Sequence, residues 1–140
     1  MREIRNIVLH CSGTSQDTTV EEIQKYWRET LKWRFPGYHY IIEADGKVTQ
    51  LSDIARVTNG VARNNADAIH ICYIGGVDAR NRPLDNRTPK QILKTLEILI
   101  ELLEKFPKAN ILGHRDFPNV AKACPSFDVA SWLTSVGLRR

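Results

Sequence analysis

The sequence predicts a single domain of the mixed α/β class, in which strands alternate with helices along the chain. Its 140 residues allow one domain with a sizeable core. Residues 68–74 are apolar on both alternating faces, which is typical of a buried central strand. Two segments carry strong helix-start signals. Since the chain has no repeats, linkers or low-complexity segments, the domain is predicted to span residues 1–140.

The first part of the chain is predicted to form a strand and then a helix. Residues 4–10 are apolar and β-branched, which favours a strand. Thr19 and Glu22 have the spacing of a capping box, which marks a helix start. The pattern Phe35-Pro36-Gly37 ends this helix. Its apolar side chains follow helical spacing: Val20, Ile23, Trp27 and Leu31.

A hairpin precedes the buried strand. Residues 38–43 and 47–51 are predicted strands, and Asp45-Gly46 between them is a hairpin-turn signal. A polar passage over residues 52–65 then leads to the predicted central strand.

The C-terminal half begins with the clearest helix start in the chain. Thr88 is a hydroxyl cap, Pro89 takes the first helical position and Gln91 the third. A short strand over residues 109–112, a loop over 113–125 and a last helix ending at Gly137 are predicted to follow. The buried face of the long helix is predicted to be Ile92, Leu96, Leu99, Ile100 and Leu103.

Composition and charge narrow the functional classes. A net charge of +4 and a pI near 9.1 favour polyanions, such as nucleic acid, anionic membrane surfaces or an acidic cell wall. The basic residues are dispersed apart from Arg139-Arg140, so no nucleic-acid partner is expected. No apolar stretch is long enough to span a membrane, and the N-terminus lacks the pattern of a secretory signal. We therefore expect a protein made in the cytoplasm that binds no membrane.

Three residues at separate places could form a metal site. His10 ends the first predicted strand, and His114 follows the last predicted strand. Cys124 lies in the loop between that last strand and the final helix. Two imidazoles and one thiolate would give zinc three ligands and an open fourth position, the arrangement of catalytic sites. Each residue could instead be a buried side chain with satisfied hydrogen bonds, and the spacing alone does not decide. The odd, widely spaced set of Cys11, Cys72 and Cys124 indicates a reduced protein rather than a disulfide framework.

Three segments resemble the type-2 N-acetylmuramoyl-L-alanine amidases, a family that includes phage lysozymes of amidase type and is similar to peptidoglycan recognition proteins. The segment Ile7-Val8-Leu9-His10-Cys11-Ser12-Gly13-Thr14 resembles the family's first strand. Residues 37–48, Gly37-Tyr38-His39-Tyr40-Ile41-Ile42 with Asp45-Gly46-Lys47-Val48, resemble its second strand and hairpin. Gly113-His114-Arg115-Asp116 and Lys122-Ala123-Cys124-Pro125-Ser126-Phe127-Asp128 resemble its metal loop.

The resemblance implies a fold, a reaction and a set of site residues. The implied fold is a central mixed β-sheet flanked by helices, with one zinc ion at the floor of a surface groove. The implied zinc ligands are His10, His114 and Cys124, and the implied catalytic residues are Tyr38 and Lys122. The implied reaction is hydrolysis of the amide between N-acetylmuramic acid and L-alanine in peptidoglycan, by a monomer that reaches the wall after release by other means. Asn64 matches a groove asparagine and is a weak candidate for substrate contact.

The supporting residues also have simpler interpretations. Tyr38 could be only a strand aromatic, and Lys122 only a solvated surface cation. Neighbouring strand residues face opposite ways, so His39 is predicted to be structural if Tyr38 faces zinc. Cys11 and Cys72 are interpreted as buried small hydrophobes.

The sequence departs from the family at a few positions, which leaves substrate preference open. Thr58 and Asn59 stand where relatives often have a histidine near the groove. His70 replaces a small residue of the central strand, and Trp27 occupies a helix position often taken by histidine.

Three other functions are alternatives to amidase activity. A non-catalytic peptidoglycan-binding module characteristically lacks the cysteine ligand, and a muropeptide-recycling amidase tends to carry aspartate there, so Cys124 argues against both. A regulatory role that uses the basic surface to bind a protein partner is neither supported nor excluded by the sequence.

Overall fold

The computed structural model describes residues 1–138 and contains one five-stranded sheet with three helices. The pair Arg139-Arg140, noted above for its charge, lies outside the described residues. The strands are β1 (Asn6–Cys11), β2 (Tyr40–Ile42), β3 (Val48–Gln50), β4 (Ala68–Tyr73) and β5 (Asn110–Gly113). The helices are α1 (Val20–Glu29), α2 (Pro89–Lys105) and α3 (Val129–Ser135).

The sheet is mixed, as predicted, and has the order β3-β2-β4-β1-β5. Strands β2, β4, β1 and β5 run parallel, while β3 pairs antiparallel with β2 through the predicted hairpin. Every residue of β4 is buried, which confirms the prediction of a central strand covered on both faces.

Two apolar layers cover the two faces of the sheet. On one face, α2 and α3 pack on alternate residues of β1 and β4, and their side chains form the larger core cluster. On the other face, Val20, Ile23 and Trp27 of α1 pack on Ile41, Cys72 and Ile74. His10 and His70 lie on the α1 face, since each alternates with strand residues of the larger cluster.

Both predicted helix starts are present. The side chain of Thr19 accepts a hydrogen bond from the backbone of Glu22, and Thr88 does the same with Gln91, each in a reciprocal capping box. A cap of this kind stabilises a helix by about 1 kcal/mol. Helix α1 ends at Glu29, earlier than predicted, and leaves Leu31 exposed.

The predicted buried face of α2 was partly wrong, although Leu99 is buried and Leu103 packs partly buried against the larger cluster. Of the predicted residues only Leu99 is buried, and Ile100 is exposed. Gln91 sets the orientation of the helix, because its side-chain amide is buried and donates to the carbonyls of Ile42 and Ile74. The residues that α2 buries are Gln91, Thr95, Ile98, Leu99 and Leu102.

No helix within residues 1–138 is long and apolar enough to cross a membrane.

Candidate metal centre and groove

His10 projects from the carboxyl end of β1, where parallel strands gather functional groups. Its side chain is almost fully buried, at 1% exposure. The imidazole Nδ1 faces Cys124, at 3.8 Å from its Sγ, and Nε2 lies 2.8 Å from Nδ1 of His70.

His114 begins a short 3₁₀ turn (His114–Asp116) directly after β5. The Asp116 carboxylate holds this turn by accepting the backbone N–H of Gly113 at 2.7 Å. A Cβ on Gly113 would lie 2.8 Å from the Pro125 ring, so glycine is needed where the two segments approach. This close approach places His114 beside the loop that carries Cys124.

The Cys124 loop is fastened to the strand ends by several hydrogen bonds. The backbone N–H of Cys11 donates to Cys124 Sγ at 3.2 Å, and Arg115 N–H donates to the Cys124 carbonyl at 2.9 Å. The Tyr73 hydroxyl donates to the Pro125 carbonyl at 2.7 Å. The loop is therefore held at three points, one of which is the sulfur of Cys124 itself.

His10, His114 and Cys124 together form a cluster whose ligand atoms all lie within 4.8 Å of one another. Tetrahedral zinc holds its sulfur and nitrogen ligands about 3.5 Å apart, given Zn–S and Zn–N lengths of about 2.3 and 2.0–2.1 Å. The 3.8 Å from His10 Nδ1 to Cys124 Sγ is close to that value. Two imidazoles and one thiol are a donor set that zinc prefers, so the residues present fit a zinc ion.

The electrostatics of the cluster keep both imidazoles able to ligate. Burial, with smaller contributions from the neighbouring His70, His114 and Lys122, lowers the pKa of His10 well below its usual value. Burial and the charge of Lys122 lower the pKa of His114 to about 4. A hydrogen bond with Cys11, together with burial, raises the pKa of the Cys124 thiol. The cluster thus offers two neutral imidazoles and a thiol. The charge of a bound cation would favour the thiolate form of Cys124.

Tyr38 and Lys122 both lie at this cluster. The Tyr38 ring centroid is 4.9 Å from that of His10, and burial raises the pKa of its phenol, which therefore stays protonated. Lys122 is exposed and lines the surface beside His114.

A groove of about 910 Å³ opens above the cluster. Its floor includes Tyr38, His114 and Lys122, which also line an adjoining depression of about 280 Å³ on the Cys124 side. The cluster therefore lies where the two depressions meet, with room for an extended ligand on both sides. Further walls of the groove come from Trp27, Trp33 and residues 59–65 and 118–121.

Of the other residues singled out from the sequence, some line the groove and one is fully buried. Asn64 and Asn59 line the groove, whereas Thr58 is fully buried and its hydroxyl faces His39. Trp27 lines the groove and packs edge-on against Tyr38, with ring centroids 5.5 Å apart.

One inference about side-chain direction was wrong. Tyr38 and His39 were predicted to face opposite ways within a strand, but β2 begins only at Tyr40. Both rings therefore lie on the α1 face, Tyr38 against His10 and His39 against His70. The Nε2 of His39 donates to the Arg56 carbonyl at 2.7 Å, and the ring contacts none of the three cluster residues within the described structure.

Cys72 is buried, as predicted. Cys11 is buried too, but its backbone also contacts the Cys124 sulfur, so it is more than a core residue.

Sequence reasoning missed part of the site. Trp33 and the groove wall over residues 118–121 carry no motif that marks them. The contact between His70 and His10 was also missed, although a histidine inside an otherwise apolar strand was a usable signal.

Known proteins share both the sequence pattern and the fold of this chain. The pattern of the family described as N-acetylmuramoyl-L-alanine amidase matches residues 1–127. The endolysin of Enterobacteria phage K11 is 37% identical over 134 residues, which are 94% of this chain and 87% of that protein. The endolysin of bacteriophage Ph2119, from Thermus scotoductus MAT2119, superposes with a TM-score of 0.79 at 23% identity, over 100% of this chain and 88% of that one.

The fold is also shared outside phages. Drosophila peptidoglycan recognition protein SD superposes with a TM-score of 0.80 at 16% identity, over 100% of this chain and 85% of that one. At such identities these superpositions show the fold alone, and membership rests on the sequence matches. By those matches, which extend over nearly its whole length, the chain belongs to the N-acetylmuramoyl-L-alanine amidase family.

Proposed function

We propose that this chain is a zinc-dependent amidase that cleaves the bond between the lactyl group of N-acetylmuramic acid and L-alanine in peptidoglycan. In this proposal residues 1–140 form one catalytic domain that works as a monomer. The observation that carries it is the meeting of His10, His114 and Cys124 within 4.8 Å at the floor of an open groove. The family membership supplies the bond that is cleaved.

The three cluster residues would hold the zinc ion. When bound, zinc lowers the pKa of water and polarises an amide carbonyl, which are the two requirements for attack on an unreactive amide. His10 and His114 would ligate it as neutral imidazoles, because burial lowers the pKa of both side chains. Cys124 would supply a negative charge as the thiolate, and the Cys11 N–H, which donates to its sulfur, fixes the direction of that sulfur.

Lys122 is proposed to stabilise the oxyanion that forms on the carbonyl. Its ammonium group is the cation of the groove floor that lies beside His114. A cation in this place acts mainly in the transition state, because negative charge develops on the carbonyl oxygen only during attack.

Tyr38 is proposed to orient the reacting groups. Its hydroxyl remains a donor at neutral pH, since burial raises its pKa, and its ring is fixed between His10 and Trp27. Asn64 is proposed to contact the substrate from the groove wall.

Substitution of Cys124 by serine tests the proposal. Serine is a poor and mostly protonated zinc ligand, so Cys124→Ser should lose zinc and hydrolysis together. The groove is built from other residues, so the variant should stay folded and still sediment with insoluble peptidoglycan. Cys72→Ala is the control for loss of a buried thiol, because Cys72 is not one of the three cluster residues and its loss should leave zinc content unchanged.

Two measurements on the same samples decide the outcome: sedimentation with purified walls, and release of amino groups with time. If wild-type protein binds walls but releases no amines with zinc added, the chain is a binding module. If Cys124→Ser cleaves as fast as wild type, Cys124 is not a ligand.

A further inference from the structure

His70 is a buried histidine that the proposed reaction does not use. It lies in the middle of β4, is fully buried, and contacts a cluster residue directly. Its Nδ1 is 2.8 Å from Nε2 of His10, and its Nε2 is 2.9 Å from Oδ1 of Asn65. A chain of hydrogen bonds thus runs from Asn65 through His70 to His10.

The direction of every hydrogen bond in this chain follows from one backbone group. Val61 N–H donates to Oδ1 of Asn65 at 2.8 Å, which fixes that atom as the amide oxygen. The oxygen can only accept, so Nε2 of His70 must carry a hydrogen. Since His70 is fully buried and no carboxylate contacts it in the described structure, the ring is neutral and its Nδ1 accepts.

The same reasoning fixes the tautomer of His10. Because Nδ1 of His70 accepts, Nε2 of His10 carries the hydrogen and donates it. The lone pair of His10 is therefore on Nδ1, the atom that faces Cys124 Sγ at 3.8 Å. Without an acceptor at residue 70, the other tautomer would place a hydrogen where a metal ion must bind.

Gly60 provides the space for the His70 ring. A Cβ at residue 60 would lie 2.3 Å from Nδ1 and 2.4 Å from Cγ of His70, closer than nonbonded atoms approach. The loop that carries Gly60 also carries Asn65, so one segment both admits the ring and bonds its far side.

We propose that His70, supported by Asn65 and Gly60, is a positioning residue that holds His10 in the tautomer whose Nδ1 ligates zinc. This inference rests on the proposed zinc function and adds residues to which no role in it has been given. Hydrogen-bonding partners of metal-binding histidines typically raise metal affinity, and their loss costs about 10–100-fold.

Two variants at residue 70 separate hydrogen bonding from packing. His70→Phe keeps a planar ring but has no acceptor, so its zinc affinity should fall about 10–100-fold in competition with a chelator. His70→Asn carries an oxygen near the place of Nδ1 and should recover most of that loss. Ile69→Ala removes buried volume from the opposite face of the same strand and should stay within about threefold of wild type, since it is not in the hydrogen-bond network.

Nitrogen-15 spectra of the histidine rings test the same point without a substitution. In zinc-loaded wild-type protein, His10 should show a hydrogen on Nε2 and the metal on Nδ1. Zinc on Nε2 of His10, or a His70→Phe variant that binds zinc as tightly as wild type, would overturn the inference and leave the proposed function standing. Wild-type protein that binds no zinc would instead overturn the proposed function, and the inference with it.

Discussion

Gly60→Ala is a small change whose cost can be estimated from the structure. The new methyl group would lie 2.3–2.6 Å from three atoms of the His70 ring. Relief needs a shift of about 1 Å, but the ring is fully buried and bonded on both sides, to His10 and to Asn65. Either the loop moves away or the ring leaves its hydrogen bonds.

The expected cost combines three effects. Overpacking of a filled interior costs about 1–3 kcal/mol, and loss of one buried hydrogen bond adds about 1 kcal/mol. Replacing glycine by alanine also lowers the conformational entropy of the unfolded chain, which stabilises the folded state by about 0.4–1 kcal/mol. We therefore expect Gly60→Ala to lower the free energy of unfolding by about 2 kcal/mol, as measured by urea denaturation of the metal-free protein.

A double-mutant cycle isolates the contact with His70. In the His70→Ala background the ring is absent, so the methyl group of Gly60→Ala should cost less than about 0.5 kcal/mol or even stabilise by filling the space. An equal cost in both backgrounds would show that Gly60 is needed for a reason other than the His70 ring, and the packing argument would be wrong.

Two further predictions concern charge. Lys122→Met should keep its zinc content and its fold but lower turnover about 10²–10³-fold, as expected on losing an oxyanion donor. The control is Lys108→Met, which changes an exposed lysine outside the residues that line the groove. Turnover of Lys122→Met within a few-fold of wild type would refute the proposed role of Lys122. Burial lowers the pKa of His39 to about 4, so the folded protein binds a proton there less readily than the unfolded chain, whose histidines titrate near about 6.5. The stability that His39 contributes is therefore full above pH about 6.5 and falls by up to about 1.4 kcal/mol per pH unit as the pH drops towards 4. Urea unfolding at several pH values should show a shallower decline for His39→Asn, and parallel curves would contradict this.

Much of the fold could be predicted because local signals and burial agreed. The capping boxes at Thr19 and Thr88 and the hairpin at Asp45-Gly46 each depend on neighbouring residues alone. The central strand was visible because both of its faces are apolar.

The errors came from interactions between distant segments. The rotation of α2 is set by Gln91, whose partners Ile42 and Ile74 belong to other elements. The apolar arc of α2 is wide, and the helix buries one side of it together with the polar Gln91 and Thr95, a choice that periodicity alone does not make. The strand β2 likewise begins at Tyr40 rather than at Tyr38, whose ring packs against the distant His10.

In the site, too, local patterns were readable from the sequence and contacts between distant segments were not. Strand ends and the loop motif pointed to His10, His114 and Cys124, and the structure brings their ligand atoms together. The chain from Asn65 through His70 to His10 could not be derived from spacing, because it joins a loop to two strands that become neighbours only in the folded sheet.

The most direct test of the zinc-amidase account is a titration of metal-stripped protein with zinc, in which the release of stem peptides with a free N-terminal alanine from purified peptidoglycan is measured. The account predicts no release without metal and a rise that saturates at about one zinc per chain, as a single three-ligand site requires. Stem-peptide release by the metal-stripped protein at the rate of the zinc-loaded protein would contradict it.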